Sequence, residues 1–245
     1  MISSGNSVGN IICTISSKNY IHYTQRLCGS LRGCGWRGEI VVLSPDPVYC
    51  NERVEVVKFK LKTTVPTLMD PRWLQFELGK YFTTGDRVCY LDSDMLCLPK
   101  CDFNRLFTGN KIVMPTLGRE LDTTKELPLL SKLVKYPVTS KYIESPFTFT
   151  VGDDLSEKIF SASRKAIPEA NKQRRGTIFC FNLAIHRLKL RPEDFDLLPS
   201  HTVYYSMDKA ISKQMDENVN WFIHYGGRVG KMLWREHFDQ GFGNV

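Results

Sequence analysis

An apolar segment that stops abruptly on two closely spaced carboxylates is the feature that most constrains this chain. Val88-Cys89-Tyr90-Leu91 is followed directly by Asp92-Ser93-Asp94. Side chains alternate along a strand, so the carboxylates of Asp92 and Asp94 leave the same face and can converge on one hard cation. Asp also caps and solvates strand ends without binding metal. Because ligands of open α/β sheets collect at the carboxyl ends of strands, the segment predicts a Mn²⁺ or Mg²⁺ site that holds the phosphates of a nucleotide-diphosphate substrate.

Apolar periodicity along the rest of the chain predicts strands that alternate with helices. This order is typical of a single α/β domain with a mixed, mostly parallel sheet flanked by helices. Besides the strand before Asp92, the predicted strands are Gly9–Ser16, Glu39–Leu43, Val54–Phe59, Ile112–Met114, Thr177–Ile185 and Trp221–His224. The predicted helices are Tyr20–Leu31, a helix beginning at Asp70-Pro71, Asp102–Phe107, Glu157–Ala166 and Asp208–Met215. The stretch from Leu117 to Ser145, rich in Thr, Lys and Pro, predicts a loop with short helices folded over the site.

The charge of the chain favours a small anionic substrate. Lys and Arg number 33 against 26 Asp and Glu, a formal net charge of +7, and only Lys172–Arg175 approaches a cluster. Nucleic-acid binding would favour a basic stripe with interleaved aromatic residues, so no nucleic-acid partner is expected.

The cysteines and the hydropathy of the chain predict its compartment. Eight cysteines include no Cys-x-x-Cys pair, and Cys13, Cys89 and Cys180 fall within apolar segments, which predicts buried free thiols. The N-terminus lacks a basic region followed by an apolar core, and no stretch reaches the ~18 apolar residues of a membrane span. We therefore expect a cytoplasmic protein without a membrane span.

Two other enzyme classes fit a strand-end Asp pair less well. Phosphatases of the haloacid dehalogenase type usually carry the pair on the first strand, with Thr or Val two positions after the second Asp. Here the pair follows the fourth predicted strand, and Leu96 occupies that position. A sugar nucleotidyltransferase would need a glycine-rich loop after the first strand, whereas Thr14–Tyr20 contains no glycine.

Several segments together resemble GT-A-fold glycosyltransferases, in particular glycosyltransferase family 8, which includes glycogenin and bacterial lipopolysaccharide galactosyltransferases. They occur in the order of the family and span most of the chain. The segments are Cys13–Tyr20 with Gly29-Ser30-Leu31, Trp73–Leu78, Tyr90–Asp94, Phe181-Asn182, Asp208, and His224–Gly227 with Lys231 and Trp234.

The resemblance implies a metal-dependent glycosyltransferase with one GT-A domain over residues 1–245. Residues 1–115 would form the nucleotide-binding half and residues 116–245 the acceptor-binding half. Asp92 and Asp94 would bind Mn²⁺ or Mg²⁺, with His224 as the third ligand. Gly226-Gly227 would let the backbone approach a phosphate, and Lys231 would add a point charge to the diphosphate.

The resemblance also assigns the remaining site residues. Tyr20 would lie over the nucleotide base, Asn182 would sit near the sugar, and Asp208 would lie on the reacting side of the donor. An inverting enzyme also needs a carboxylate to take the acceptor proton, for which Asp208, Asp153 and Asp154 are candidates. The expected nucleotide-sugar-binding residues are Thr14, Ser16, Tyr20, Arg72, Gln75, Asp92, Ser93, Gly227 and Lys231.

The expected partners are a nucleotide-diphosphate sugar and a glycan, glycoprotein or lipid-linked acceptor. The resemblance favours a UDP-sugar as the donor and leaves GDP- and TDP-sugars open. The chain departs from the family pattern, which indicates a divergent member. Gln75 stands where relatives often carry Lys, with Arg72 one turn away, and Asn182-Leu183-Ala184 replaces Asn-Ser-Gly. Lys231-Met232-Leu233-Trp234 replaces Lys-Pro-Trp. The alternative function is a protein of the same fold that binds a nucleotide-sugar or glycan without turning it over.

Overall fold

A computed structural model describes residues 9–50, 53–58, 71–117, 126–143, 145–205 and 220–225. The strands are β1 (Asn10–Ile15), β2 (Glu39–Ser44), β3 (Glu55–Lys58), β4 (Arg87–Tyr90), β5 (Met95–Cys97), β6 (Ile112–Leu117), β7 (Lys141–Tyr142), β8 (Phe147–Thr150), β9 (Phe195–Leu198), β10 (Val203–Tyr205) and β11 (Phe222–His224). The α-helices are α1 (Ile21–Gly33), α2 (Phe103–Phe107), α3 (Glu126–Val134), α4 (Asp154–Lys172) and α5 (Thr177–Arg187). A 3₁₀ helix covers Pro71–Lys80.

Eight strands form one mixed sheet, in the order β3-β2-β1-β4-β8-β6-β7, with β9 paired to β6. The β2–β3 and β6–β9 pairs are parallel, whereas β8 runs antiparallel to both β4 and β6, and β7 runs antiparallel to β6. A second sheet has the order β10-β11-β5. The mixed α/β architecture predicted from the sequence is confirmed.

The described residues fall into two compact units that interleave along the chain. The first lies within residues 9–11, 71–90 and 107–200, and the second within residues 12–58, 91–106 and 201–225. The smaller sheet belongs wholly to the second unit. The predicted functional division into residues 1–115 and 116–245 stays a prediction.

Aromatic packing on β8 forms much of the core of the first unit. Phe147 and Phe149 lie on the same strand two residues apart, and both contact Phe160 of α4, with ring centroids 5.8 and 4.9 Å apart. Phe181 of α5 meets Phe147 edge to face at 5.0 Å. Such edge-to-face contacts add to the free energy gained from apolar burial, so β8, α4 and α5 are fixed together.

The predicted strand Thr177–Ile185 is wrong, because Thr177–Arg187 forms helix α5. Every residue from Phe179 to His186 is buried. A helix buried on all sides has no polar face, so its sequence shows a continuous apolar run instead of a 3.6-residue period. Gly176, in an extended conformation, is the N-cap residue that precedes the helix.

Most other predicted elements are confirmed within a few residues of their ends, but the helix predicted at Glu157–Ala166 is longer and ends six residues later, at Lys172. The helix predicted to start at Asp70-Pro71 appears as a 3₁₀ helix from Pro71. The stretch predicted as a loop with short helices contains α3 and also the short strand β7, which was not predicted. The helix predicted at Asp208–Met215 lies outside the described residues.

Candidate metal centre and nucleotide-binding residues

A tight turn after β4 presents the two carboxylates predicted to bind metal. Leu91 N–H still donates to the Cys13 carbonyl, at 2.9 Å, so the strand-like pairing continues one residue beyond β4. Met95 N–H then donates to the Asp92 carbonyl at 3.1 Å, and this bond closes the turn that carries Asp92, Ser93 and Asp94. The chain continues directly into β5.

Strand pairing brings His224 to this turn from the far end of the described chain. His224 ends β11, where it pairs with Met95 of the antiparallel strand β5. The next residue, Tyr225, donates its N–H to the Asp94 carbonyl at 3.0 Å. His224 Nε2 consequently lies 3.6 Å from Asp92 Oδ2 and 3.2 Å from Asp94 Oδ1.

The three side chains form a set of ligands suited to a divalent cation. One ligand atom from each of Asp92, Asp94 and His224 lies within 4.8 Å of the other two. The exposed fractions are 24% and 14% for the two Asp side chains and 15% for the His, so a small substrate can reach the site. Two carboxylates fit Mn²⁺ and Mg²⁺, and the imidazole favours Mn²⁺, because Mg²⁺ takes mainly oxygen ligands. The predicted residues therefore fit a Mn²⁺ ion.

The residues predicted to bind the nucleotide near β1 lie in the same unit. Thr14 and Ser16 are buried, and Ser16 N–H donates to the Leu43 carbonyl of β2 at 2.9 Å. Tyr20 has 39% of its surface exposed and its ring centroid lies 5.6 Å from that of Tyr23. An exposed aromatic ring can stack on a base. The role of Tyr20 in binding the nucleotide base stays a prediction.

Thr24 is a residue of this region that the sequence analysis did not identify. Its buried hydroxyl lies 2.7 Å from Ser16 Oγ and 3.2 Å from the Tyr20 carbonyl oxygen. It therefore links two of the predicted nucleotide-binding residues to α1. The signal was available, since a Thr four residues after Tyr20 on a helix can bond back to that carbonyl.

Ser93 and Gln75 are both buried. Ser93 lies in the turn between Asp92 and Asp94, whereas Gln75 lies in the 3₁₀ helix of the first unit. Arg72 belongs to the same helix. The proposed nucleotide-sugar contacts of these three residues stay predictions.

The candidate catalytic residues of the first unit make structural bonds. Asn182 is fully buried on α5, where its Oδ1 accepts from Tyr142 N–H at 2.8 Å and its Nδ2 donates to the Tyr142 carbonyl at 2.9 Å. Asp153 caps α4 by accepting from Ser156 N–H at 2.9 Å and Ser156 Oγ–H at 3.1 Å. Asp154 is the exposed first residue of that helix. Catalytic roles for these residues stay predictions.

Three further predicted site residues, Asp208, Gly227 and Lys231, lie outside the described residues. Within the part of the chain that is described, no helix is both long and apolar enough to cross a membrane.

Scans of the sequence against protein-family models and against curated proteins found no match. Solved structures, in contrast, match closely in fold. An active-site mutant of LgtC shares 12% identity with a TM-score of 0.63, and the alignment covers 89% of this chain and 88% of LgtC. LgtC in complex with donor and acceptor sugar analogs, described as a galactosyltransferase, shares 13% identity with a TM-score of 0.61, covering 94% of each chain.

A third match extends the likeness to a larger protein. The bifunctional glycosyltransferase WbbM shares 14% identity with a TM-score of 0.63 over 93% of this chain, which corresponds to 47% of WbbM. Identities this low carry information about fold and not about substrate. The chain therefore has the GT-A fold of these glycosyltransferases, and the predicted resemblance to them is confirmed at the level of fold.

Proposed function

We propose that this protein is a Mn²⁺-dependent glycosyltransferase that transfers a sugar from a nucleotide-diphosphate sugar to a glycan, glycoprotein or lipid-linked acceptor. The observation that carries the proposal is the convergence of Asp92, Asp94 and His224, with ligand atoms within 4.8 Å of one another. Such a ligand set in a GT-A fold supports donor binding through a cation and its diphosphate. A UDP-sugar is the proposed donor, by resemblance to family 8.

The chemical task is to stabilise a nucleoside diphosphate as it leaves the sugar. When bound, the divalent ion supplies positive charge beside that leaving group. Asp92, Asp94 and His224 would hold the ion, and Lys231 would add a second positive charge at the diphosphate. Tyr20 would orient the base, with Thr14 and Ser16 beside it.

The acceptor hydroxyl must lose a proton during transfer. We propose Asp208 as the carboxylate on the reacting side of the donor, where it would take that proton if the reaction inverts the anomeric centre. In a retaining reaction the leaving phosphate can take the proton instead. The anomeric configuration of the product distinguishes these two routes.

We also propose that the protein works in a reducing compartment, as expected for a cytoplasmic enzyme. All eight cysteines lie among the described residues, and none of them forms a disulfide. Free thiols persist where glutathione and thioredoxin keep cysteines reduced.

The test is a panel of nucleotide-sugars incubated with the protein in the presence of Mn²⁺, with sugar release as the readout. We expect one donor, a UDP-sugar, to be hydrolysed slowly without acceptor, and EDTA to abolish the reaction. Calorimetry with UDP and Mn²⁺ is run in parallel. Binding of UDP and Mn²⁺ without release from any donor would favour the non-catalytic binding protein, and binding of neither would remove both functions.

A further inference from the structure

Three thiols of the second unit gather at the end of β5. Cys97 is the last residue of β5 and is almost fully buried, whereas Cys34, at the end of α1, and Cys101 are half-buried. The Cys34 thiol donates to the Cys97 carbonyl at 3.5 Å. The Cys97 thiol donates to the Leu98 carbonyl at 3.7 Å and interacts with the thiols of Cys34 and Cys101.

We infer that Cys34 and Cys97 form a reversible oxidation site that takes a hydroperoxide and closes to a disulfide. Such a site needs one thiol that the oxidant can reach and a second thiol close to the first. Cys34 offers the access, and its thiol, 3.5 Å from the Cys97 carbonyl oxygen, lies against the residue that carries the second thiol.

A second pair of thiols shows why access matters at the proposed site. Cys28 and Cys50 also interact through their side chains, but both residues are buried. A hydroperoxide would therefore reach the Cys28–Cys50 pair only after local opening of the structure. The Cys28–Cys50 pair serves as an internal comparison for the proposed site.

The chemistry proceeds in two balanced steps. The Cys34 thiolate attacks a peroxide oxygen, the O–O bond breaks, and a hydroxide or alkoxide leaves and takes a proton, which gives a sulfenic acid. The Cys97 sulfur then attacks the Cys34 sulfur, the S–O bond breaks, and water leaves with the Cys97 proton. The two sulfurs together lose two electrons, which reduce the peroxide.

The environments of the two thiols suit these two roles. The hydrogen bond with the Cys97 side chain lowers the pKa of Cys34, although burial opposes this effect, so more of the reactive thiolate is present at neutral pH. Burial raises the pKa of Cys97 well above its ordinary value. Cys97 is therefore suited to react second.

The proposed oxidation site includes the last residue of β5, the strand that aligns the proposed metal ligands. β5 begins directly after Asp94, and its register with β11 sets Met95 opposite His224 and Cys97 opposite Phe222. Cys97 N–H is also held by Ser30 Oγ at 3.0 Å. A disulfide to α1 would pull on this strand, so we expect it to weaken Mn²⁺ binding. This last step rests on the proposed function, whereas the disulfide does not.

Peptide mapping tests the oxidation site directly. Reduced protein is treated with hydrogen peroxide, alkylated and digested with trypsin, which separates the three thiols onto the peptides Gly33–Arg37, Val88–Lys100 and Cys101–Arg105. We expect the first two peptides to be linked, with fragmentation placing the bond at Cys97 instead of Cys89. The link should persist in Cys101→Ser and Cys50→Ser, disappear in Cys34→Ser, and be reversed by dithiothreitol.

Each alternative result decides the proposal. A link to Cys101, a link between Cys28 and Cys50 alone, or oxidised Cys34 with no partner would overturn the site. Calorimetry with Mn²⁺ then compares the oxidised protein with oxidised Cys34→Ser, and severalfold weaker binding in the former is expected. Equal binding would overturn the effect on the metal centre. Reduced protein that binds no Mn²⁺ would overturn the proposed function and this effect together, while the linked peptides would still decide the oxidation site.

Discussion

Two pairs of carboxylates follow strands of the main sheet, and the chain uses them differently. Asp92 and Asp94 follow β4 and meet His224, with a shortest imidazole-to-carboxylate distance of 3.2 Å. Asp153 and Asp154 follow β8 and begin a helix. The first pair lies in the turn closed by Met95 N–H, which presents both carboxylates to His224, whereas Asp153 is the extended cap of a helix and Asp154 is its first residue.

The element that follows each pair determines its role. After Asp153 the chain enters a helix of 19 residues, whose first N–H groups need acceptors, and the Asp153 carboxylate meets that need at Ser156. After Asp94 the chain enters the short strand β5, whose partner strand ends in His224. The position of Asp153 before a helix therefore favours a capping role. The position of Asp94 before a strand that pairs with the His224-bearing strand favours metal binding.

The largest expected effect comes from removing one charge at the metal centre. Asp94→Asn keeps the size of the side chain but replaces an anionic ligand by a neutral amide, so we expect Mn²⁺ affinity to fall by about 100-fold or more, at or beyond the upper end of losses seen for outer-shell partners. Calorimetry with Mn²⁺ measures the affinity, and circular dichroism checks the fold.

The matched control is Asp153→Asn, because Asn caps helices about as well as Asp. It removes the same negative charge beside a strand of the same sheet. We expect the Mn²⁺ affinity and the sugar release of this variant to equal those of the unaltered protein. Loss of sugar release in this control would mean that Asp153 is catalytic and that the contrast between the two pairs is wrong.

A smaller loss is expected for the third ligand. His224→Ala removes a neutral ligand and leaves both carboxylates, so we expect about 10-fold weaker Mn²⁺ binding, by analogy with other losses around metal sites. A Mn²⁺ titration of donor hydrolysis should show a matching shift in the half-saturating concentration. If the titration curve does not move, His224 has only a structural role at the end of β11.

The cap provides the third prediction, which concerns stability instead of binding. Asp153→Ala removes both bonds to Ser156, and we expect it to lower the free energy of unfolding by ~1 kcal/mol. Urea unfolding of Asp153→Ala and Asp153→Asn measures the difference between losing the cap and losing only the charge. Equal stability of these two variants would show that the bonds to Ser156 do not stabilise α4.

The smallest expected effect is a dependence of folding stability on pH that arises at His186, away from the candidate metal centre. The His186 ring packs near those of Tyr136 and Tyr142, with ring centroids 6.1 and 6.2 Å away. Burial lowers the pKa of His186 below 6.5, and its hydrogen bond to the Ser140 backbone acts in the opposite direction. The unfolded chain thus binds this proton at higher pH than the folded protein, so stability should fall as the pH drops from 6.5 towards the folded pKa.

Urea unfolding at about pH 7.5 and about pH 5.5, on either side of the ordinary His pKa, checks this sign. His186→Gln should lose less stability between the two pH values than the unaltered protein does. The opposite order would show that the protonated imidazole is stabilised in the fold. Metal affinities of the Asp and His variants are best compared at the higher pH, where this proton does not contribute.

Local patterns in the sequence predicted the Asp92–Asp94 pair and five of the eight strands of the main sheet, whereas His224 was predicted from the resemblance to family 8. The apolar run before Asp92 located the end of β4, but a turn closed by Met95 N–H, and not strand alternation, presents the two carboxylates. α5 was misread because burial on every side removes the period that distinguishes helix from strand. Its central Asn182 bonds the backbone of Tyr142, a contact between residues far apart in sequence that no local pattern contains.

Long-range polar contacts were missed for the same reason. Glu126 Oε2 and Lys141 Nζ form an ion pair of 2.7 Å with both side chains 5% exposed, within a stretch read only as loop and short helices. Neither residue stands out in the sequence, because the pair exists only once α3 and β7 are folded together. Breaking a buried pair of this kind is strongly destabilising, so its role is structural.

The register between β5 and β11 determines when the candidate metal site can form during folding. Slippage of β11 by a single residue would turn the imidazole to the opposite face of the sheet, and the ion would lose a ligand although no side chain had changed. During synthesis the two aspartates leave the ribosome long before the histidine does. In the proposed metal site, capture of the ion by all three groups would thus be a late event, and it would report that β11 has paired with β5 in register.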